Sequence, residues 1–339
     1  MAKKRTNSNP SLPRVSICTP TFNRRPFFNG LILSVLGQKY PKELIEWIIV
    51  DDGTDKIGDL VSHIPFVKYV SVDERMTLGK KRNFMHDQCN FKRDDDIIVY
   101  MDDDDFYPPE RISHSVDKLI HSNALCAGSS ELYIWFNTLN KMYKFGPYGP
   151  NHATAGTFAF KRKLLHTSRY EDDAVLAEEK HFLKNYTVPF VQLEPLKTIL
   201  VFSHEQNTFD KRRLIDSNNQ FCKESNLKVN HFVKSDEMRK FYMNDLNVLI
   251  SNYEPGDIKN KPEVIEEIKR RDEIRRQMSQ QQQVTQTNED GTTRVLSQHE
   301  IIEALRFKNA EVVALKEELA QKNKYIGLLL DKIRNLSQA

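Results

Sequence analysis

The stretch IIVYMDDDDFYPPE, residues 97–110, runs from an apolar strand directly into four aspartates. Adjacent carboxylates repel one another, which is costly in a folded chain unless solvent or a cation relieves them. Hard cations such as Mg²⁺ and Mn²⁺ take carboxylate oxygens, keep open positions and bridge to substrate phosphates. An acidic run alone reads as a solvated turn. One that ends a buried strand and precedes aromatics and Pro-Pro points to metal and phosphate binding. Towards the N-terminus the pattern repeats: IEWIIVDDG (45–53) is a strand ending in acids and glycine, and VSICTP (15–20) is a short buried strand ending at proline. Between them FFNGLILSVLGQ (27–38) has helical spacing, with Phe28, Ile32, Val35 and Leu36 on one face and Gly37 as the stop. Residues 57–63 read as a short helix, VKYVSV (67–72) as a strand and LGKKRNFMHDQC (78–89) as a helix. Alternating strand and helix with polar strand ends is the pattern of an α/β sheet, whose ligands sit at the strand carboxyl ends. TPTFNR (19–24), VDDGT (50–54) and MDDDD (101–105) should therefore converge on one cleft.

Composition sets the outer bounds. The chain has 339 residues, 39% hydrophobic and 29% charged, enough apolar material for a substantial core. The formal net charge is +3, and Lys3, Lys4 and Arg5 alone supply it. A near-neutral body argues against a nucleic-acid partner. Cys18, Cys89, Cys126 and Cys222 form no CxxC pair and read as reduced, mostly buried thiols of a cytoplasmic protein. No run reaches the ~18 apolar residues of a membrane span. The first residues, MAKKRTNSNPSLPR, contain no apolar core for a secretory signal. The expected organisation is a disordered lead-in (1–13), a catalytic domain (14–210, divided at 110), a helical extension (211–278), a Gln- and Thr-rich flexible linker (279–294) and a coiled-coil helix (295–339).

Taken together, VSICTPTFNR, IEWIIVDDGT, LGKKRNF and IIVYMDDDDFYPPERI are similar in order and spacing to the nucleotide-binding half of family two glycosyltransferases with the GT-A fold, over roughly residues 14–205. The resemblance implies a Rossmann-like mixed sheet with flanking helices. It implies transfer of a sugar from a nucleotide-sugar, most often a UDP-sugar, to a hydroxyl acceptor such as a glycan, with inversion and a Mn²⁺ or Mg²⁺ cofactor. By the same resemblance Thr19 and Pro20 wall the base pocket, with Asn23 beside them. Asp52 accepts the ring N–H, leaving Asp51 to orient the loop. Arg82, with Lys80 and Lys81 as competitors, faces the donor phosphates. Asp104 binds the metal, and Asp102 or Asp103 contacts the ribose or a metal-bound water. The run of four acids leaves this register open by one residue.

The acceptor half follows the same resemblance. NHATAGTFAFKRKLL (151–165) is similar to the family's small-residue turn, where Gly156 and Thr157 let a sugar approach backbone. AEEKHFLKN (177–185) resembles the acidic pair below the acceptor. The pair here is Glu178-Glu179 rather than Glu-Asp. Glu179 is then the base that takes the acceptor proton and Glu178 an acceptor contact, with Asp172 and Asp173 as rivals. One carboxylate aimed at the attacking hydroxyl suffices for an inverting transfer. His204, in FSHEQNTF (202–209), stands where the family places a histidine on the metal or diphosphate. A nucleotidyltransferase with a related fold is the nearest rival, but TPTFNRRP lacks its glycine- and arginine-rich phosphate loop. A catalytically inactive scaffold built around the tail is the other.

The tail carries its own signal. At seven-residue spacing Leu305, Val312, Leu319, Ile326 and Ile333 form one row, and Ile301, Lys308, Leu315, Lys322, Leu329 and Leu336 the other. Nine of these eleven positions are apolar and the flanks are polar, which predicts a coiled coil and a homo-oligomer, dimer or trimer.

Overall fold

The computed structural model describes residues 12–176, 179–208, 210–215, 219–281, 285–287 and 291–336. Most of the expected disordered lead-in lies outside these residues. The chain divides into two units, one ending at Glu267 and one beginning at Ile268. No described helix is long and apolar enough to cross a membrane.

The first unit is built on a seven-stranded mixed sheet. Its strands are β1 (Val15–Thr21), β2 (Ile45–Asp51), β3 (Val67–Ser71), β4 (Ile97–Tyr100), β5 (Cys126–Gly128), β8 (Ala159–Lys161) and β9 (Phe190–Gln192), in the order β3-β2-β1-β4-β8-β5-β9. The first four are mutually parallel, and β8 runs antiparallel to β4 and β5. A second sheet joins β10 (Val201–Ser203), β6 (Leu132–Phe136), β7 (Lys141–Phe145) and β11 (Cys222–Glu224) in that order.

Alternation along the strands decides which layer each residue enters. Val15, Ile17, Trp47, Ile49, Ile97 and Val99 share one core with α1 (Phe28–Leu36) and α4 (Arg111–Ile120), through Phe28, Leu31, Ile112 and Val116. Cys18, Ile48, Val50, Ile98 and Tyr100 face the opposite way, onto Met85 and Cys89 of the α3 segment (α3, Leu78–Gln88). Both faces are therefore covered, and the central strands read as continuous apolar runs. β1 and β2 are registered so that Thr21 lies beside Asp51, and Cys18 pairs with Tyr100 across β1 and β4. The three polar strand ends consequently emerge at one edge.

As far as Glu267, the stretch expected as a helical extension (211–278) belongs to the first unit. Val229, Phe232, Tyr242, Leu246 and Ile250 pack against Phe27, Phe106, Trp135 and Phe202. A helix, Pro262–Gln281, begins at the end of this unit. In the second unit, the stretch expected as a structureless linker contains Thr285–Thr287 paired antiparallel with Thr293–Val295. The β-branched threonines favour this pairing, and Gly291, at φ 81°, takes a left-handed conformation between the strands that suits glycine. The final helix, Gln298–Leu336, opens with a capping box. Ser297 Oγ accepts from the Glu300 N–H, and Glu300 accepts in return from the Ser297 N–H. Leu305, Val312, Leu315, Leu319 and Ile326 are exposed along it.

Candidate active site

The sheet edge carries two cavities that meet. The first is lined by Phe22, Arg24, Arg75 and Lys261 together with Asp102, Asp103 and Asp104. The second is lined by Asp102, Asp104, Gly156, Thr157, Glu179 and Lys211. Leu78, Arg82, Asp102, Asp104 and Thr208 belong to both.

The β4 end is held rigidly. Arg111 is fully buried and donates from Nη2 to the Tyr100 and Phe158 carbonyls, at 3.2 and 2.9 Å. The Asp102 N–H donates to the Tyr107 hydroxyl at 2.6 Å. From this base the four aspartates diverge. Asp102 lies 3.6 Å from Arg82, whose guanidinium also sits 4.4 Å from the centre of the Tyr100 ring. Asp103 is 3.7 Å from Arg24; burial, reinforced by the charge of Asp104, pushes its carboxyl up to about 7. Asp104 lies 3.4 Å from His204 Nε2. Burial alone would raise its carboxyl, but the bond to His204 and the cations Lys211 and Arg24 hold it below the usual range. Asp105 turns inward and accepts from the Phe202 N–H at 3.3 Å. One turn thus brings all four acids to the cavities: Asp102 and Asp104 to both, Asp103 to the first and the largely buried Asp105 to the second.

His204 is buried, packs on Phe27 at 4.7 Å, and is pushed down to about 4 by that burial against the pull of Asp104. Its Nε2 also meets Asn207 Nδ2 at 2.8 Å, while its Nδ1 has no hydrogen-bond partner among the described residues. Among the described residues no group of three or more His, Cys, Asp or Glu side chains forms a complete metal cage. Asp104 and His204 nevertheless converge, and a small hard cation is commonly held by one or two protein ligands with substrate phosphates completing its shell. The donor set fits such a site.

Some expected contacts lie elsewhere. Thr19 is fully buried within the sheet, donating to the Met101 carbonyl and accepting from Trp47 Nε1, so it does not wall a cavity. Pro20 does line the first cavity. Asn23 takes a left-handed conformation, φ 53°, and its side chain ties loops together: Oδ1 accepts from the Thr54 and Asp55 N–H groups, and Nδ2 donates to the Pro255 carbonyl. Asp52 sits in a buried ion pair with Lys81 and accepts from the Met76 N–H at 2.7 Å. Asp51 organises its loop, accepting from the Gly53 and Ile57 N–H groups.

On the other side, Glu179 opens the single-turn helix α5 (Glu179–Phe182), and its Oε1 accepts from the Ala155 N–H at 3.2 Å. Lys184, Asn185 and Tyr186 all have left-handed φ values and end that turn at once. Gly156 leaves room for Asp102, whose Oδ2 would lie 3.0 Å from an added Cβ. Thr157 is buried, and its hydroxyl donates to the Thr154 carbonyl and accepts from the Ser129 N–H. Its contribution to the cleft wall is therefore positional. Glu178 lies outside the described residues. The rivals lie away from the cleft lining: the Asp172 side chain accepts from Asn83, and Asp173 is exposed.

Sequence reasoning missed Phe22, Arg24, Arg75, Lys211 and Lys261 as cavity residues. Arg75 lies flat on Phe22, 3.6 Å from the ring centre, and pairs with Glu263. Phe22 and Arg24 were within reach, since both belong to the TPTFNR strand end. Arg75, Lys211 and Lys261 carry no local signal.

Residues 16–171 match the family model described as glycosyl transferase family 2. Solved structures of similar shape include S. aureus TarS 1–349 in complex with UDP-GlcNAc, at 16% identity and TM-score 0.44, covering 57% of this chain and 59% of that one. Another is the mannosyltransferase PcManGT from Pyrobaculum calidifontis in complex with GDP-Man and Mn²⁺, at 18% identity and TM-score 0.45, covering 57% and 58%. TarS 1–349 in complex with UDP aligns over 85% of this chain and 98% of that one, at 15% identity and TM-score 0.46. The match thus spans less than two thirds of the length of these two relatives. The comparison with curated proteins gave no match. The family-model match and the mixed sheet with its acid-bearing strand end agree: residues 16–171 are a family 2 glycosyltransferase domain of GT-A type.

Proposed function

We propose that the chain is an inverting, metal-dependent hexosyltransferase that moves a sugar from a UDP-sugar to an acceptor hydroxyl, on a glycan. The observation that carries this reading is the meeting of two cavities at Asp102 and Asp104, with Glu179 lining the second. A donor in the first cavity would bring its anomeric carbon to the junction, and an acceptor in the second would approach from the side of Glu179.

In the reaction, the acceptor oxygen attacks the anomeric carbon while the bond from that carbon to the donor phosphate breaks. The electron pair of the broken bond leaves on the diphosphate, and the acceptor proton passes to a Glu179 carboxylate oxygen. The Ala155 N–H holds that carboxylate in place, so little reorganisation is needed at the moment of transfer. Asp104 and His204 are the residues that would hold Mn²⁺ or Mg²⁺, which when bound would offset the charge of the leaving diphosphate. Arg82, anchored by Asp102 and the Tyr100 ring, contributes fixed positive charge at the same junction. A panel of UDP- and GDP-sugars tested by thermal shift, with Mn²⁺ and with EDTA, examines the donor assignment. A metal-dependent rise in melting temperature with a UDP-sugar is expected; no shift with any donor would refute it.

We also assign the heptad row of Gln298–Leu336, exposed at Leu305, Val312, Leu315, Leu319 and Ile326, to self-association as a coiled coil, in a dimer or trimer with the catalytic units joined through 279–294. Long apolar rows with polar flanks are buried by a second helix of like pattern. The unpaired thiols suit a cytoplasmic enzyme.

A further inference from the structure

Five cationic side chains line the first cavity: Arg24, Arg75, Lys81, Arg82 and Lys261. Four have carboxylate partners. Arg24 lies by Asp103, Arg75 by Glu263, Lys81 by Asp52 and Arg82 by Asp102. Lys261 differs. It is only 6% exposed, yet no carboxylate of the described residues lies within 4 Å of its ammonium. Its hydrogen bond goes to the hydroxyl of Thr208, at 2.9 Å. Burial, with the charge of Arg24, pulls this lysine well below its ordinary value, and only the more distant charges of Asp103 and Asp104 oppose that pull, so an arriving anion would restore its charge.

Its position says which counter-charge. Thr208 lines both cavities, so Lys261 Nζ stands at their junction. The same nitrogen is 6.0 Å from the centre of the Phe22 ring, and the charges of Asp103 and Asp104 act on it. Lys261 is therefore placed between an aromatic face and a carboxylate cluster. A nucleoside diphosphate has that layout: a flat base at one end and, beyond the ribose, a metal-seeking diphosphate at the other. The segment is also anchored to the cavity rim. Glu263 pairs with Arg75, the Pro255 carbonyl accepts from Asn23, and the Tyr253 hydroxyl donates to Asp55 at 2.8 Å.

We infer that Lys261, delivered from outside the family 2 region by the segment leading into Pro262–Gln281, is a binding residue for the donor's diphosphate. The inference rests on the donor-site reading above and adds a residue from a part of the chain that the family match does not reach. It makes this segment a component of donor binding rather than a spacer. Charge-assisted bonds to phosphate are among the stronger polar contacts, so losing this one should weaken diphosphate binding about tenfold or more.

The test is calorimetry of the full chain with UDP, GDP and uridine in Mn²⁺, for the wild type, Lys261→Met and Lys261→Arg. The expected result is a tenfold or greater loss of UDP affinity in Lys261→Met, unchanged uridine affinity, and partial recovery in Lys261→Arg. Lys261→Met should melt no lower than the wild type, because it removes an unpaired buried charge. Unchanged or tighter UDP binding in Lys261→Met would overturn the inference, as would an equal loss for UDP and uridine. Failure of the wild type to bind either diphosphate would instead refute the donor-site reading.

Discussion

Replacing Lys81 with methionine tests whether the strand end of β2 is held by charge. The Lys81 side chain is 6% exposed and that of Asp52 is fully buried, and the two form an ion pair. Lys81 also donates to the Thr21 carbonyl at 3.1 Å, tying the ends of β1 and β2 together. Burial pulls the lysine down from its ordinary value, while the carboxylate of Asp52 opposes that pull. Lys81→Met leaves a buried carboxylate with the Met76 N–H as its remaining hydrogen bond. Breaking a buried pair from one side typically costs about 3–5 kcal/mol, because the orphaned charge stays desolvated. For a domain of this size, at roughly 2–4 °C per kcal/mol, the melting temperature should fall by about 10 °C. The double variant Lys81→Met/Asp52→Asn removes the orphaned charge and keeps an oxygen for the Met76 N–H. It should recover most of the loss. Thermal unfolding followed by near-ultraviolet circular dichroism reads both. A Lys81→Met protein melting within about 2 °C of the wild type would refute the reasoning.

Three further outcomes are expected. Asp104→Ala should abolish transfer and strip the Mn²⁺ dependence from UDP binding, measured by calorimetry, in a protein that still folds. Retained activity would move the metal ligand to another acid of the run. Glu179→Gln should leave UDP affinity near normal and cut kcat by roughly 10²–10⁴; a mild effect beside a damaging Glu178→Gln would reverse the roles of the pair. A chain ending at residue 278 should scatter light as a smaller species and keep activity on a soluble acceptor, whereas a full-length protein that is monomeric at micromolar concentration would refute the coiled-coil assignment.

Much of the sheet was legible because its signal is local. Val15, Ile17 and Cys18, or Ile97, Ile98 and Val99, form short apolar runs that only a strand buried on both faces accommodates, and polar residues mark where each strand leaves the core. Acids at the ends of β2 and β4 therefore pointed to one edge. What each side chain does there was less legible. Thr19 and Asn23 occupy the expected strand end, yet Thr19 bonds to Met101 and Trp47, and Asn23 to Thr54, Asp55 and Pro255. Those partners lie far away in sequence, and no local pattern announces them. The same holds for Arg75 with Glu263 and for Lys261 with Thr208. The polar stretch after residue 210 looked like an appendage because its apolar residues are sparse. Phe232, Tyr242 and Leu246 nevertheless suffice to fasten it to Phe106 and Phe202.

The most direct test of the account is the configuration of the bond it makes. With an α-linked UDP-sugar from the donor screen, an acceptor alcohol and Mn²⁺, nuclear magnetic resonance of the product reads the anomeric linkage from its proton coupling. Direct attack assisted by Glu179 predicts a β-linked product that is absent when Glu179→Gln replaces the wild type. An α-linked product would contradict the account, because no single in-line displacement can retain the donor's configuration.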